Sequence, residues 1–404
     1  MMKRPTMGDM NVWYCGYAAT IPAMAGSWLT FFFYTAAIWA VINATYRRYT
    51  LEVPRRSMPF ILSGLALCAV MTVSGLLNGP GWGLVNAMAS LCAFLAAPLL
   101  IARIRNAEPE RSWLMFLRYA PLGALGGVAM SLITGTRHGG AGNENVFAAA
   151  MGVLAIFSLA NAFSPRRLVG LLGAGGFALA AAGIFMSNYR TLYPFIVLLP
   201  LLLLVFGLGR TARSVLVALG LMAVAAWATF ETIEKQIWVI GWELENLGGD
   251  GPATAMSARL DLWQAATKAF QESPVIGHGM LHKMTVVRSH LSADLLPMFT
   301  HTHNAFLDAA VAGGVLGLLA MIAVVVSPLW MVFGRAGERR DRRFVIVSMT
   351  LMFIAIGMTS VFYTHDLLVV LFVFPLVVAA ACDPAPDVVR LLTGRNEAQP
   401  APVA

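Results

Sequence analysis

The sequence predicts an all-α polytopic membrane protein with about twelve transmembrane helices and one large helical loop between the ninth and the tenth. Three observations carry this. Of the 404 residues, 58% are hydrophobic and only 12% charged, against roughly 25% charged in a soluble domain. The mean hydropathy is +0.72. Apolar runs recur at the length of about 20 residues that a bilayer demands, shorter where flanking side chains adapt.

In chain order the expected spans are 12–26, 28–46, 58–77, 83–103, 112–133, 144–162, 167–187, 190–208, 214–233, 303–333, 344–362 and 366–382. Pro98, Pro194 and Pro328 lie in apolar stretches and are expected to kink them. Lys3 and Arg4 precede an apolar run that ends near Ala23-Met24-Ala25, a sequence resembling a signal-peptidase site. Pro22 and the glycines make that run a poor signal core, so it is expected to remain. The four cysteines form no CxxC and suggest neither a metal site nor a disulfide framework.

The net charge of +8 is a topology signal. One alternating set of connections holds 21 of the 28 Lys and Arg, and the other holds only Arg137, Arg190, Lys235, Arg259, Lys268, Lys283 and Arg288. The richer set is expected on the cytoplasmic side, which puts both termini there and requires an even number of spans. No basic patch with interleaved aromatics suggests nucleic acid. The expected organisation is helices one to nine over 1–233, an outer helical loop over 234–302, helices ten to twelve over 303–383 and a cytoplasmic tail over 384–404.

The loop opens with an amphipathic stretch from Glu231 to Asn246, with Trp238 and Trp242 suited to headgroup depth. Gly248 to Pro252 breaks it. A second helix over 256–272 carries an expected apolar stripe of Leu260, Trp263, Ala266, Thr267 and Phe270, and 281–296 forms a third.

Thr300-His301-Thr302-His303-Asn304 sits where this loop meets the tenth span. Imidazole suits proton transfer near neutral pH; the plainer alternative is a polar helix start capped by Thr302 or Asn304. If the helix begins between the histidines, both cannot point into one cleft at equal depth. Arg190 follows Ser187-Asn188-Tyr189 at a tight turn, Arg259 opens the second loop helix, and Arg137 and His138 share a Gly-rich turn. A single such arginine snorkels to the headgroups by default. Several on the side where arginine is depleted suggest an anionic lipid headgroup, because guanidinium binds phosphate bidentately. No Asp-x-Asp, GxxxxGK[ST] or GxGxxG occurs to hold a metal-bound or free nucleotide.

Ser187-Asn188-Tyr189-Arg190, Arg259-Leu260-Asp261-Leu262-Trp263, Pro274-Val275-Ile276-Gly277-His278-Gly279, His301-Thr302-His303-Asn304-Ala305-Phe306-Leu307 and Gly313-Gly314-Val315-Leu316-Gly317-Leu318 occur in that order. Together they resemble the signatures of the O-antigen ligase and polymerase superfamily. The chain departs from the family pattern at Thr302, where serine is common, and at Ala312, where an acid is common. The resemblance implies a GT-C-type glycosyltransferase of the bacterial inner membrane with its active site on the periplasmic side. It implies a donor, O-antigen on undecaprenyl pyrophosphate, and an acceptor, lipid A-core oligosaccharide. Arg190 and Arg259 would hold the pyrophosphate, with Arg137 and His138 as additional phosphate contacts. His303 would be the base, supported by His301 and Asn304, with no cofactor and no metal. The chemistry agrees: pyrophosphate leaves readily, so the site needs charge stabilisation from arginine and a base for the acceptor hydroxyl alone. A related O-antigen polymerase is the alternative; the single dominant outer loop favours a ligase. A transporter of lipid-linked sugars would show midplane ionisable groups and inverted repeats, and the sequence shows neither clearly.

Overall fold

The computed structural model describes residues 6–47, 51–79, 81–207, 230–245, 255–292, 295, 299–332, 339–384 and 387–392, with isolated positions between 216 and 227. The expected ninth span, the Gly248–Pro252 break, Lys3, Arg4 and the end of the tail lie wholly or largely outside them.

The helices are α1 (Met7–Thr20), α2 (Ser27–Arg47), α3 (Met58–Asn78), α4 (Trp82–Met88), α5 (Cys92–Arg105), α6 (Pro109–Thr134), α7 (Glu144–Ala160), α8 (Arg167–Ser187), α9 (Tyr193–Gly207), α10 (Phe230–Glu245), α11 (Ala255–Glu272), α12 (Gly279–Ser289), α13 (Ala305–Val326), α14 (Arg340–Gly357) and α15 (Asp366–Ala381). Among the described residues seven helical stretches are long and apolar enough to cross a membrane: Ser27–Thr45, Arg55–Leu77, Trp82–Arg105, Pro109–Thr134, Glu144–Phe163, Arg167–Ser187 and Ala305–Met331. Arg190–Phe206 and Asp366–Ala381 are apolar but shorter. The protein is therefore a helical, multi-pass membrane protein.

Its outer surface confirms the class. Leu62, Val73, Leu76 and Leu77 of α3 and Leu122, Leu125, Leu132 and Ile133 of α6 are exposed, as a lipid-facing surface requires and a soluble one avoids. The interior belongs to α7 and α15, which are buried along nearly their whole lengths. Both are apolar all round, the pattern of a fully enclosed helix.

Local chemistry moved several boundaries from those expected. α1 starts at Met7 because Thr6 and Asp9 form a reciprocal capping box. Pro194 lies in the first turn of α9, where no N–H is needed, so it does not kink that helix. Pro200, Pro121 and Pro375 instead lie inside helices, as Pro98 does. Pro328 opens a 3-10 turn, Ser327–Met331, that ends α13. The expected tail contains a strand: β2 (Val388–Leu392) pairs antiparallel with β1 (Leu51–Pro54), joining Val53 to Val389 and Glu52 to Arg390.

Short connections define the two ends of the bundle. The α5–α6 and α7–α8 connections and the start of α14 share one end, where Arg342 pairs with Glu110. The α6–α7, α8–α9 and α14–α15 connections share the other, where Thr359 meets Tyr189. α11, α12 and the start of α13 gather at this second end around a small core of their own, including Ala258, Leu262, Ala265, Ala269, Val287 and Val311. The buried face of α11 is thus Ala258-Leu262-Ala265-Ala269, at i, i+4, i+7 and i+11. Of the expected stripe, Ala266 is buried and Trp263 and Phe270 are partly so, whereas Leu260 is exposed. Alanine lets the neighbouring backbones approach closely, and this outweighs the larger residues in choosing the face. α12 ends at Ser289, short of the expected 296.

Candidate active site

The second end is held together by a break in α13. Gly314 has φ +66 and ψ −159 inside an otherwise continuous helix. The segment Pro274–His278 wedges in there. The His278 N–H donates to the Val311 carbonyl (2.9 Å), and the Val315 N–H to the Pro274 carbonyl (2.7 Å). Ser74 Oγ donates to the Ala312 carbonyl (2.7 Å) and Asn78 Nδ2 to the Gly277 carbonyl (3.1 Å). The opened helix therefore recovers its backbone partners from outside, as a break at membrane depth must. Gly277 has φ +74, and a Cβ there would sit 2.5 Å from the Ala312 carbonyl; one on Gly314 would sit 2.2 Å from the Val275 oxygen. The PVIGHG and GG signatures are two halves of one joint.

Immediately before α13 lies the histidine turn. Arg288 donates through Nη2 and Nε to the Phe299 carbonyl (2.6 and 3.2 Å) and fixes the incoming chain. Trp263 Nε1 donates to the Thr302 carbonyl (3.0 Å). The Thr302 hydroxyl lies within reach of the Asn304 carbonyl (3.0 Å) and Asp308 Oδ1 (3.1 Å). Asn304 Oδ1 accepts from the Phe306 and Leu307 N–H groups (3.0 Å each), making it the N-cap of α13. Asn304 thus supports the turn by capping, as the plainer sequence alternative held.

α13 begins at Ala305, after both histidines, so the condition under which the two rings could not share a cleft is not met. His303 has a left-handed backbone (φ +53), which folds the chain back and brings the two rings to 4.1 Å between centroids, tilted by 39°. Phe299 meets the His303 ring edge-on at 5.7 Å.

Burial pushes the His303 imidazole down to about 4, and the nearby His301 and Arg259 push the same way; a hydrogen bond to the Thr359 backbone opposes them. Burial also lowers His301, with Asp308 opposing and Lys283 assisting. Both rings are therefore neutral near pH 7 and able to accept a proton. Thr359 ties in the α8–α9 turn: its hydroxyl is 2.9 Å from Tyr189 Oη and 2.9 Å from Thr191 Oγ1. Burial raises Tyr189, and Arg259 is close enough to pull it back. Arg259, Tyr189, Thr359, His301 and His303 thus lie near one another.

Arg190 opens the 3-10 turn before α9, and its Nη1 is 3.0 Å from Glu243 Oε2 of α10. No acidic side chain pairs with Arg259 among the described residues. The Arg137–His138 turn packs elsewhere, against residues 23–24: the Gly140 N–H donates to the Ala23 carbonyl (3.3 Å), and His138 Nδ1 faces the Gly139 carbonyl (3.1 Å). Nothing there brings Arg137 or His138 to the histidines. Among the described residues, no three His, Cys, Asp or Glu side chains converge in a way that would hold a metal ion.

The sequence reading missed Asp308, Lys283, Tyr363 and Glu243. Asp308 carried a signal: a lone carboxylate in an apolar run implies a buried partner.

Residues 175–322 match the O-antigen ligase family. This stretch contains the α8–α9 turn, α11, the wedge, the histidine turn and the break. Over these residues the chain is similar to the O-antigen ligase family. An O-antigen ligase of Pseudomonas aeruginosa is 33% identical over 108 residues, 26% of this chain and 24% of that protein. An uncharacterised protein of Haemophilus influenzae is 32% identical over 83 residues, 19% of this chain and 20% of that protein. The chain therefore spans about a quarter or less of the curated relatives it matches. The matched segment holds Arg190, Arg259 and both histidines, and leaves Arg137 and His138 outside.

Proposed function

We propose that this protein is an O-antigen ligase of the bacterial inner membrane, with the α8–α9 end of its bundle facing the periplasm. It transfers O-antigen polysaccharide en bloc from undecaprenyl pyrophosphate to a hydroxyl of lipid A-core oligosaccharide. The observation that carries this reading is the convergence of Arg259, Tyr189 and two neutral histidines, from three separated signatures, beside the wedge of the family segment.

The chemistry balances without a cofactor. The acceptor oxygen attacks the anomeric carbon, and the bond from that carbon to the pyrophosphate oxygen breaks. Undecaprenyl pyrophosphate leaves with the electron pair, and the hydroxyl proton passes to His303 and then to water. Attack opposite the leaving group inverts the anomeric centre. Arg259, and Arg190 once released from Glu243, stabilise the charge growing on the pyrophosphate. Because guanidinium supplies this stabilisation, transfer is expected to continue in EDTA and without ATP.

Deletion of the gene followed by lipopolysaccharide gels tests the assignment. A ligase leaves core without polymer while long polymer persists on its lipid carrier. A single repeat on the core would instead indicate a polymerase, and a normal polymer ladder would reject both. Orientation is checked by cysteine labelling: a cysteine at Asn143 should react from the periplasm and one at Arg166 should not.

A further inference from the structure

A buried charged cluster lies directly under the histidine turn and takes no part in the chemistry above. Asp308, on the first turn of α13, has no exposed surface. Its Oδ2 takes the Lys283 ammonium of α12 and the Tyr363 hydroxyl (2.6 Å) from the turn before α15. Its Oδ1 faces the Thr302 hydroxyl (3.1 Å). Lys283, Tyr363 and Thr302 are themselves buried. One carboxylate therefore joins four pieces of chain.

Stability explains this cluster poorly. Removing two charges from water costs about what their attraction returns, and well-packed apolar residues often do as well. What the cluster supplies is definition of geometry. Thr302 lies between the two histidines. Its hydroxyl is directed to Asp308 on one side, and its carbonyl is held by Trp263 on the other. The next residue, His303, has a left-handed backbone, which few non-glycine residues adopt and which a fixed neighbour helps to hold. Thr302 is that neighbour.

We infer that Asp308, held by Lys283 and Tyr363, is a positioning residue that acts through Thr302 to aim His303 at the acceptor hydroxyl. This rests on the reading of His303 as the base. The side chains touch neither substrate nor reacting atom. Serine would place a hydroxyl at the same site, so the hydroxyl is the required feature at 302 and its methyl is incidental.

The test uses the full chain in nanodiscs with lipid-linked donor and core acceptor. Thr302→Val removes the hydroxyl and leaves the Lys283–Asp308 pair intact. We expect kcat to fall by about 10- to 100-fold, the cost of misplacing a catalytic group, with the donor KM unchanged within about two-fold. Thr302→Ser should restore kcat to within about three-fold of the native value. Tyr363→Phe should act in the same direction as Thr302→Val and less than additively with it, because both loosen one element. Asp308→Asn is the direct variant, and where it fails to accumulate the other three carry the test. A Thr302→Val protein with lowered melting temperature and native kcat overturns the inference, as does loss of kcat that Thr302→Ser does not restore. His303→Ala separates the two readings. If it stays active the base assignment fails; if it is inactive while Thr302→Val is normal, only the positioning role fails.

Discussion

Arginines at the two ends of the bundle keep different company. At the end opposite the histidines, Arg103 is fully buried. It donates to Asn11 Oδ1 and the Ala36 carbonyl (2.8 Å each), and its guanidinium lies 5.3 Å from the Tyr14 ring centroid. Arg342, also buried, donates to the Cys382 carbonyl (2.8 Å) and pairs with Glu110. Arg339 forks onto Asp341 (3.1 and 2.8 Å), which also takes the Trp113 indole N–H (2.9 Å). Each guanidinium clamps two or more segments of the protein. At the histidine end, Arg259 is half-buried with no acidic partner among the described residues, and Arg190, one third exposed, meets an acid from a peripheral helix. The same fork serves as a staple where protein acceptors surround it and, under the proposed function, as a receptor for the donor pyrophosphate at the histidine end.

The largest expected effect is at the receptor end. His303→Ala should lower transfer by about 10²- to 10⁴-fold, the range of a general base, in protein that folds and still binds donor. Activity within a few-fold of native would remove His303 from the mechanism, and if His301→Ala were then the inactive variant, the base would lie two residues earlier.

Next come the arginines themselves. Arg259→Lys and Arg190→Lys should be nearly as damaging as alanine, because a point charge cannot reproduce a bidentate fork. Arg103→Leu should lower the melting temperature, at about 1–3 kcal/mol for partners left unsatisfied, with native transfer per folded molecule. Were Lys tolerated at 190 and 259, or Arg103→Leu to abolish transfer in folded protein, the division into staples and receptors would collapse.

A third expectation concerns pH. His303 is lowered to about 4, so the base is neutral above that value and protonated below it. The rate should hold from neutral pH down to about 5 and fall on approaching 4, where an ordinary histidine would begin to fail near 6.5. Arg259→Gln removes one of the lowering charges and should move this acid limb upward. A limb at 6.5 in the native protein would mean the ring is solvated.

The smallest effect tests the weaker contact. Exposed ion pairs contribute about 0–1 kcal/mol, and Arg190–Glu243 is only partly sheltered. Glu243→Gln should therefore tighten donor binding by no more than about five-fold. Weakened binding would indicate that Glu243 positions Arg190 instead of competing for it.

The sequence made the class and most spans legible, because apolar run length is a local property. It also brought out both histidines and Arg190, each at a break in such a run, and Arg259 at the start of a loop helix. What it could not show are pairings across distance. Lys283 finds Asp308 25 residues away and Arg190 finds Glu243 53 residues away, and neither spacing has a period. The left-handed turn at His303 was not legible either, because the groups that hold its neighbour Thr302, Trp263 and Asp308, lie outside the turn. The kinks were placed at prolines, whereas the deepest break is at Gly314, whose partner segment lies 36–40 residues upstream.

That break also decides where such proteins can be recombined. Drawn straight, Ala305–Met331 would run about 40 Å at 1.5 Å per residue, beyond a hydrocarbon core of about 30 Å. Divided at Gly314, its first part shares a core with α11 and α12, while its last turns are bonded to α3 through Ser63 and Ser327 (2.9 Å). A chimera cut at the visible edge of the polar loop, between 302 and 303, would part Thr302 from Asp308 and the wedge from its carbonyls. A cassette running from 255 to 315 keeps every backbone bond of the wedge within a single parent. The transplantable module therefore ends inside the hydrophobic stretch, about ten residues beyond the last polar side chain of the turn.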